Sequence, residues 1–299
     1  MKNIFSVIAL VLTSFLSYAQ GCSDAGICSI GRAFTTTQDD FKNSFEAATI
    51  FGVGEANITY ISPFLAYTRK LNERISLSTK VTFSSATGDF GTSSGLGDAF
   101  LIGNYTFKEK NKKQWSALVG WKIPFNNSDL RINGNPLPLD YQSSLGTIDL
   151  FLGTNLNYKK WDFNAVLQIP IVNSNQNTYL NELPGVTVFS STNLFERKSD
   201  ALFRTTYTFK TTNQKFTFKP NVLFIYHLGE DSFENKLGIR ETIKGSDGLT
   251  LNGNLISTYN FNKQNSIELS IAAPFVIRDE RPDGLTRGFV LGLQYKMLF

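Results

Sequence analysis

The sequence predicts an all-β fold, a single antiparallel transmembrane up-and-down β-barrel of about twelve strands, with about ten to fourteen compatible with the pattern. Three observations point to it. Many segments alternate apolar and polar residues with period two over the about nine to eleven residues that a tilted membrane strand requires. The connections between them are alternately short and long. The last segment keeps its apolar face up to Phe299. Composition agrees: 26 phenylalanines and 11 tyrosines accompany only 9 prolines and 23 glycines, which sit mostly at segment joins, as expected of aromatic strands separated by polar turns. Beyond the first twenty residues no apolar run reaches the about 18 residues of a membrane helix, so a membrane role has to come from a closed barrel.

The chain begins with Lys2, an apolar run from Ile4 to Leu16, and small Ser17 and Ala19 before Gln20. This reads as a secretory signal peptide over residues 1–19. Residues 20–43 lack a clean period and read as a periplasmic lead or partial plug, with the barrel over 44–299. Cys22 and Cys28 follow the expected cleavage point. In an oxidising periplasm a small disulfide loop is the expectation. A lipid-modified Cys22 is the rival, because Ala19-Gln20-Gly21 loosely imitates a lipobox, and a two-cysteine metal site is weaker because His227 is distant in sequence.

Taken in order, the barrel strands start with two weak segments, 45–53 and 58–67, whose alternation is broken by Pro63 and by the Gly52 and Gly54 pair. Ile75, Leu77, Val81 and Phe83 then oppose Arg74, Ser78 and Lys80. Ala99, Leu101, Tyr105 and Phe107 face one way after Ser94-Gly95-Leu96-Gly97-Asp98, where the glycines suit a tight bend as the strand begins. That glycine-rich stretch lacks the lysine and following helix of a phosphate loop. The clearest segment is 114–125, with Trp115, Ala117, Val119, Trp121, Ile123 and Phe125 on one face and Gln114, Ser116, Gly120 and Lys122 on the other. Aromatics at both ends of one face are what girdles at two water interfaces demand. Leu150, Leu152 and Leu156 oppose Asp149, Asn155 and Asn157, and, after only Lys159-Lys160, Trp161, Phe163, Ala165 and Leu167 oppose Asp162, Asn164 and Gln168. Phe203 and Tyr207 oppose Arg204 and Thr206; Phe216, Phe218, Phe224 and Tyr226 oppose Lys219, Asn221 and His227. Leu249, Leu251, Leu255 and Tyr259 oppose Asn252 and Asn254, and Ile267, Leu269 and Ile271 oppose Glu268 and Ser270.

In the last strand Phe289, Leu291, Leu293, Tyr295, Met297 and Phe299 share one face. An edge strand of a soluble sheet is the alternative. The pattern of Gly292, Tyr295, Met297 and terminal Phe299 resembles the signal that the barrel-assembly machinery reads in bacterial outer-membrane barrels. Short connections fall at 70–73, 108–113, 159–160, 211–214 and 262–265, and long ones at 84–94, 126–144, 172–199, 228–247 and 276–286. Periplasmic turns are short and outer loops long in such barrels, so both termini are expected in the periplasm of a Gram-negative bacterium. A strand hidden in 172–199 or 237–244 would change the count.

The formal net charge of +4 is spread along the chain without a basic cluster, which excludes nucleic acid as a partner. His227 is the only histidine and so the only candidate base for ester hydrolysis. The residues after it, Leu228-Gly229-Glu230-Asp231-Ser232, do not resemble the motifs of outer-membrane lipases, and an inward polar residue at the outer rim is the plainer reading. Asp149 and Asp162 fall on inward faces of neighbouring strands, where they could bind a metal. Lumen charge balanced by Lys122 or Arg204 is the simpler reading. No catalytic, metal or cofactor site is assigned. Inward positions mix polar Lys80, Lys122, Asp149, Arg204, Asn221, His227, Asn252 and Glu268 with apolar Phe100, Ile102, Phe151, Leu202 and Leu223. A wide diffusion pore would be more uniformly polar, so a narrow, selective passage or a filled structural barrel is expected.

Tyr60-Ile61-Ser62-Pro63, the stretch from Tyr67 to Leu77, Ser94-Gly95-Leu96-Gly97-Asp98 and Asn104-Tyr105-Thr106-Phe107 resemble the family named for the MetA pathway of phenol degradation. Members of that family are similar to fatty-acid-transporter-like barrels. The resemblance runs from about residue 45 to the C-terminus, and it implies an outer-membrane channel for passive uptake of small hydrophobic or aromatic compounds. A structural barrel without transport is the alternative, and an outer-membrane lipid hydrolase the third reading. The partners expected are outer-membrane lipid and lipopolysaccharide, the assembly machinery and a small-molecule ligand.

Overall fold

The computed structural model describes residues 41–54, 56, 58–181, 189–283 and 287–299. The expected signal peptide over residues 1–19, nearly all of the expected periplasmic lead, and Cys22 and Cys28 lie outside the described residues. In chain order the strands begin with β1 (Asn43–Gly54), β2 (Thr59–Lys70), β3 (Ile75–Gly88), β4 (Gly91–Thr106) and β5 (Lys113–Pro124). Two-residue β6 (Arg131–Ile132) and β7 (Asn135–Pro136) precede β8 (Thr147–Tyr158) and β9 (Trp161–Asn173). Then come β10 (Asp200–Tyr207) with its continuation β11 (Phe209–Lys210), β12 (Phe216–His227), and the short β13 (Ser232–Glu234) and β14 (Arg240–Thr242). The chain ends with β15 (Gly248–Asn260), β16 (Asn265–Val276) and β17 (Arg287–Leu298).

Two short pairs, β6 with β7 and β13 with β14, stand apart from the main sheet. In that sheet successive strands pair antiparallel, β10 also pairs with β12, and β1 pairs with β17, so the sheet closes on itself. With β11 counted as the end of β10 the wall has twelve strands, the even number of a single-chain membrane barrel. Closure runs to the final residue: Asn43 N donates to Phe299 O at 2.9 Å and Phe299 N to Asn43 O at 3.0 Å.

Burial on this wall is inverted relative to a water-soluble protein. Trp121 is 39% exposed and Tyr295 41%, whereas Lys122 is 1% exposed and Asp149 0%. Two stacked sheets would bury those aromatics between them. A continuous coat of exposed leucine, valine, isoleucine and phenylalanine around a charged interior is stable only when lipid surrounds it. Strand length agrees, since twelve residues at about 3.3 Å each, tilted about 45°, span on the order of 28 Å of hydrocarbon. At the end of the short turns, aromatic rings touch between neighbouring strands, Trp161 with Tyr207 at 4.8 Å and Phe216 with Tyr259 at 4.9 Å between centroids, and along one strand, Tyr207 with Phe209 at 4.6 Å. Such a belt belongs at a lipid–water interface.

The structure corrects the sequence reading at β3 and β4. No long loop occupies residues 84–94; β3 runs on to Gly88, β4 starts at Gly91, and only Asp89 and Phe90 turn between them. Gly91 has φ +107°, a conformation that only glycine adopts readily. Ser94-Gly95-Leu96-Gly97-Asp98 therefore lies within a strand, at a one-residue bulge where Thr82 Oγ1 accepts from Asp98 N at 2.8 Å. The strand suspected in residues 237–244 exists as β14, but it pairs only with β13 and leaves the wall count unchanged.

The barrel interior as candidate functional site

Five zones follow one another along the interior, starting from the long-loop end. First is a folded cap. The loops at 125–146, 174–199 and 228–247 turn Leu139, Leu145, Phe195 and Ile243 into one apolar cluster. A second gathers Tyr141, Tyr179 and Phe189 over Ile58 and Tyr60.

Beneath it lies a buried charge layer. Lys122 Nζ sits 2.8 Å from Asp149 and donates to Thr147 Oγ1 at 3.1 Å, while Gln168 donates to the same carboxylate. His227 lies between two carboxylates, Nδ1 2.6 Å from Asp200 and Nε2 2.8 Å from Asp231. Arg197 bonds Asp200 at 2.5 Å, and Arg278 joins Asp283 at 2.8 Å and donates to Ser246 O at 2.6 Å. Three long loops are thereby fastened to β10 and β12. Burial pushes the Asp283 carboxyl up, but Arg278 and Arg197 outweigh it and hold it at about 2. For Asp231, burial wins over the hydrogen bond from His227 and the carboxyl is raised. Burial likewise raises Asp140, in the cap, to about 7. Both ring nitrogens of His227 face carboxylate oxygens, so neither meets a serine as the base of a Ser-His pair would.

One inward step further, Phe100, Ile102, Leu118, Phe151, Val166, Leu202 and Leu223 pack together on the β4–β12 side. Small residues, among them Ala48, Ala66, Ser270 and Gly292, occupy the opposite inner face on β1, β2, β16 and β17. The apolar cluster is thus confined to one side of the interior, and on the other these smaller residues stand beside inward Ile50, Phe64 and Val290. Below come amides, with Asn164 donating to Asn155 at 2.6 Å and Asn254 to Asn221 at 2.9 Å. The fifth zone is a polar vestibule at the short-turn mouth.

On this side of the barrel the wall carries an apolar recess of about 600 Å3 on its outer face, lined mostly by outward residues such as Leu65, Val81 and Leu293 and also by inward Ala48, Phe64 and Thr82. Pro63, also in the lining, explains its position. Proline has no N–H to donate, and the β2–β3 ladder skips from Ile61↔Ser85 to Phe64↔Thr82 there, beside the β3–β4 bulge.

Of the residues singled out in the sequence, Lys80, Phe100, Ile102, Lys122, Asp149, Phe151, Arg204, Asn221, His227 and Asn252 are all buried in the structure, and Glu268 is half-buried. Lys80 lies over the rings of Phe64 at 4.4 Å and Phe100 at 5.2 Å. Asp149 and Asp162 are not brought together. Asp149 pairs with Pro170 near the long-loop end and Asp162 with Asn157 near the other, eight residues along β8 and about 27 Å away. The sequence reading missed Asp200, Asp231, Arg197, Arg278 and Asp283, because four of the five stand in loops with no period. Charge is also not evenly spread in space: the short turns carry Arg69, Lys70, Lys110, Lys112, Lys159 and Lys160, while buried carboxylates gather at the long-loop end.

No family model and no curated protein matches this chain. Among solved structures it is similar to the NanC porin (9% identity, TM-score 0.48, covering 85% of this chain and 98% of that one). It is also similar to the translocator domain of the autotransporter NalP from Neisseria meningitidis (8%, 0.47, 92% and 96%) and to the CymD monoaromatic hydrocarbon channel (9%, 0.45, 95% and 95%). Likeness at this level carries no argument about cargo, and the fold rests on the strand pairing itself.

Proposed function

We propose that this chain is an outer-membrane channel for passive, selective passage of small hydrophobic compounds, aromatic ones included, with the short turns and both termini in the periplasm. The observation that carries the reading is the apolar recess at Pro63, open toward lipid and set in the wall away from the packed apolar cluster of the interior. An apolar solute dissolved in the membrane meets there a wall segment whose strand ladder is interrupted, with inward Ala48 and Thr82 beside Phe64. The resemblance of Tyr60–Pro63 and Ser94–Asp98, which line or adjoin this recess, to the MetA-pathway family supports the same cargo class.

The test is influx of the fluorescent apolar probe N-phenyl-1-naphthylamine into Gram-negative cells with and without the protein, since a lipopolysaccharide leaflet slows such solutes. Faster influx is expected with the native chain, and a return to background with Leu65→Arg. Equal influx in all three strains would sink the channel reading. A non-transporting structural barrel would then stand, and the closed cap with its buried charge layer is the feature that favours it.

A further inference from the structure

The vestibule at the short-turn mouth is a cavity of about 560 Å3 between β1, β12 and β15 to β17. Its lining includes five cations, Lys210, Lys215, Lys219, Lys263 and Lys296, and two carboxylates, Glu46 and Glu268, with Asp162 close enough to Lys219 to feel its charge. Glu46 is held by Lys296 at 3.0 Å, and Glu268 accepts from Thr258 Oγ1 at 3.3 Å. Lysine offers only donors, and amides of Asn213, Gln264 and Gln294 add more around the same space. A cleft of one sign with low-dielectric walls concentrates its field inward. Lys210, Lys215 and Lys263 are exposed at the mouth, while Lys219 and Lys296 are half-buried on inward faces of β12 and β17, where snorkelling to lipid phosphate does not account for them.

We infer that this vestibule binds small anions through a carboxylate or phosphate group. The inference rests on the channel reading for the claim that the bound anion is cargo; the site itself stands apart from it. A channel with this mouth takes solutes that join an acidic group to a compact apolar body, because the next zones inward are amide-lined and then apolar on one side.

The test uses the purified, folded protein in neutral detergent and the trisulfonated dye pyranine as probe, read by fluorescence anisotropy. Saturable binding is expected, weakened by salt and by about tenfold in Lys215→Glu/Lys263→Glu, whose side chains are exposed in turns. Lys110→Glu/Lys159→Glu, outside the cavity, is expected to leave it unchanged. Inorganic phosphate and benzoate are then run as separate competitors to tell which anion class is preferred. In parallel, the reversal potential across planar bilayers in a KCl gradient is expected to show anion preference that the first double variant abolishes. Dye binding equal in both double variants overturns the inference. Lysine-dependent binding with no current in bilayers or influx in cells leaves the anion site standing and removes the channel. Cation-selective current without dye binding does the reverse.

Discussion

At the scale of single residues, the interior is held by charges that have lost their water. Lys122 and Asp149 are 1% and 0% exposed. Removing one member strands the other, which costs about 3–5 kcal/mol, whereas replacing both by apolar residues of similar size is close to neutral. Lys122→Met is therefore expected to lower the urea midpoint strongly in detergent, and Lys122→Met/Asp149→Leu to restore most of it. Additive losses in the cycle would show that the two do not act as a pair. Asp140 supplies a pH dependence of definite sign. Its folded value of about 7 lies above the ordinary 3.8, so the neutral carboxyl favours the folded cap. That contribution is complete below pH 4 and disappears as pH rises to 7, with an upper bound of about 4 kcal/mol. Proteolysis of the loop at 125–146 is expected to quicken over this range, and Asp140→Asn to abolish the change. A native chain cleaved at the same rate from pH 4 to 8 would contradict this. Asp283, held at about 2, has the opposite sign and loses its contribution only as pH falls from 4 to 2.

At the scale of elements, what was legible in the sequence is what repeats. Trp115 to Phe125 and Phe289 to Phe299 alternate without a break because each side chain meets either lipid or lumen, and the pleat turns that division into period two. The β3–β4 hairpin was legible only in part. Beyond the membrane the alternation loses its apolar half, so Ser84, Ser85, Thr92 and Ser93 read as loop although their backbones stay paired. Of the two partners of His227, Asp200 stands on β10 while Asp231 left no trace, since it reaches the ring from a loop whose course is set by tertiary contacts. Gly97 tests the bulge directly. A Cβ there would lie 2.5 Å from Thr82 Oγ1 and 2.8 Å from the backbone oxygen of Ser143, so Gly97→Ala has to push a cap loop away. A loss of about 1–3 kcal/mol is expected. Gly103→Ala, whose Cβ would meet nothing nearer than 3.6 Å, serves as the control. Equal urea midpoints for the two variants would mean that the cap yields freely at Ser143.

At the scale of the whole molecule, one division governs everything above: which face of the closed sheet meets lipid. It decides that Lys122 is buried and Val119 is 49% exposed although they stand three residues apart on β5. A soluble barrel would take a charge at Val119 without loss, because water already covers that position. In a bilayer the cost depends on depth, about 2–4 kcal/mol for arginine near the midplane and about 0–1 kcal/mol near an interface. Val119 lies mid-strand and Phe125, 51% exposed, just past the strand end. Val119→Arg is therefore expected to destabilise the folded barrel in phospholipid vesicles several times more than Phe125→Arg, and equilibrium unfolding in guanidinium gives both values. The gradient is the telling quantity, since two equal losses would reflect only removed packing. A flat profile would place water against β5, and the lipid-facing recess would then lose its medium along with its cargo.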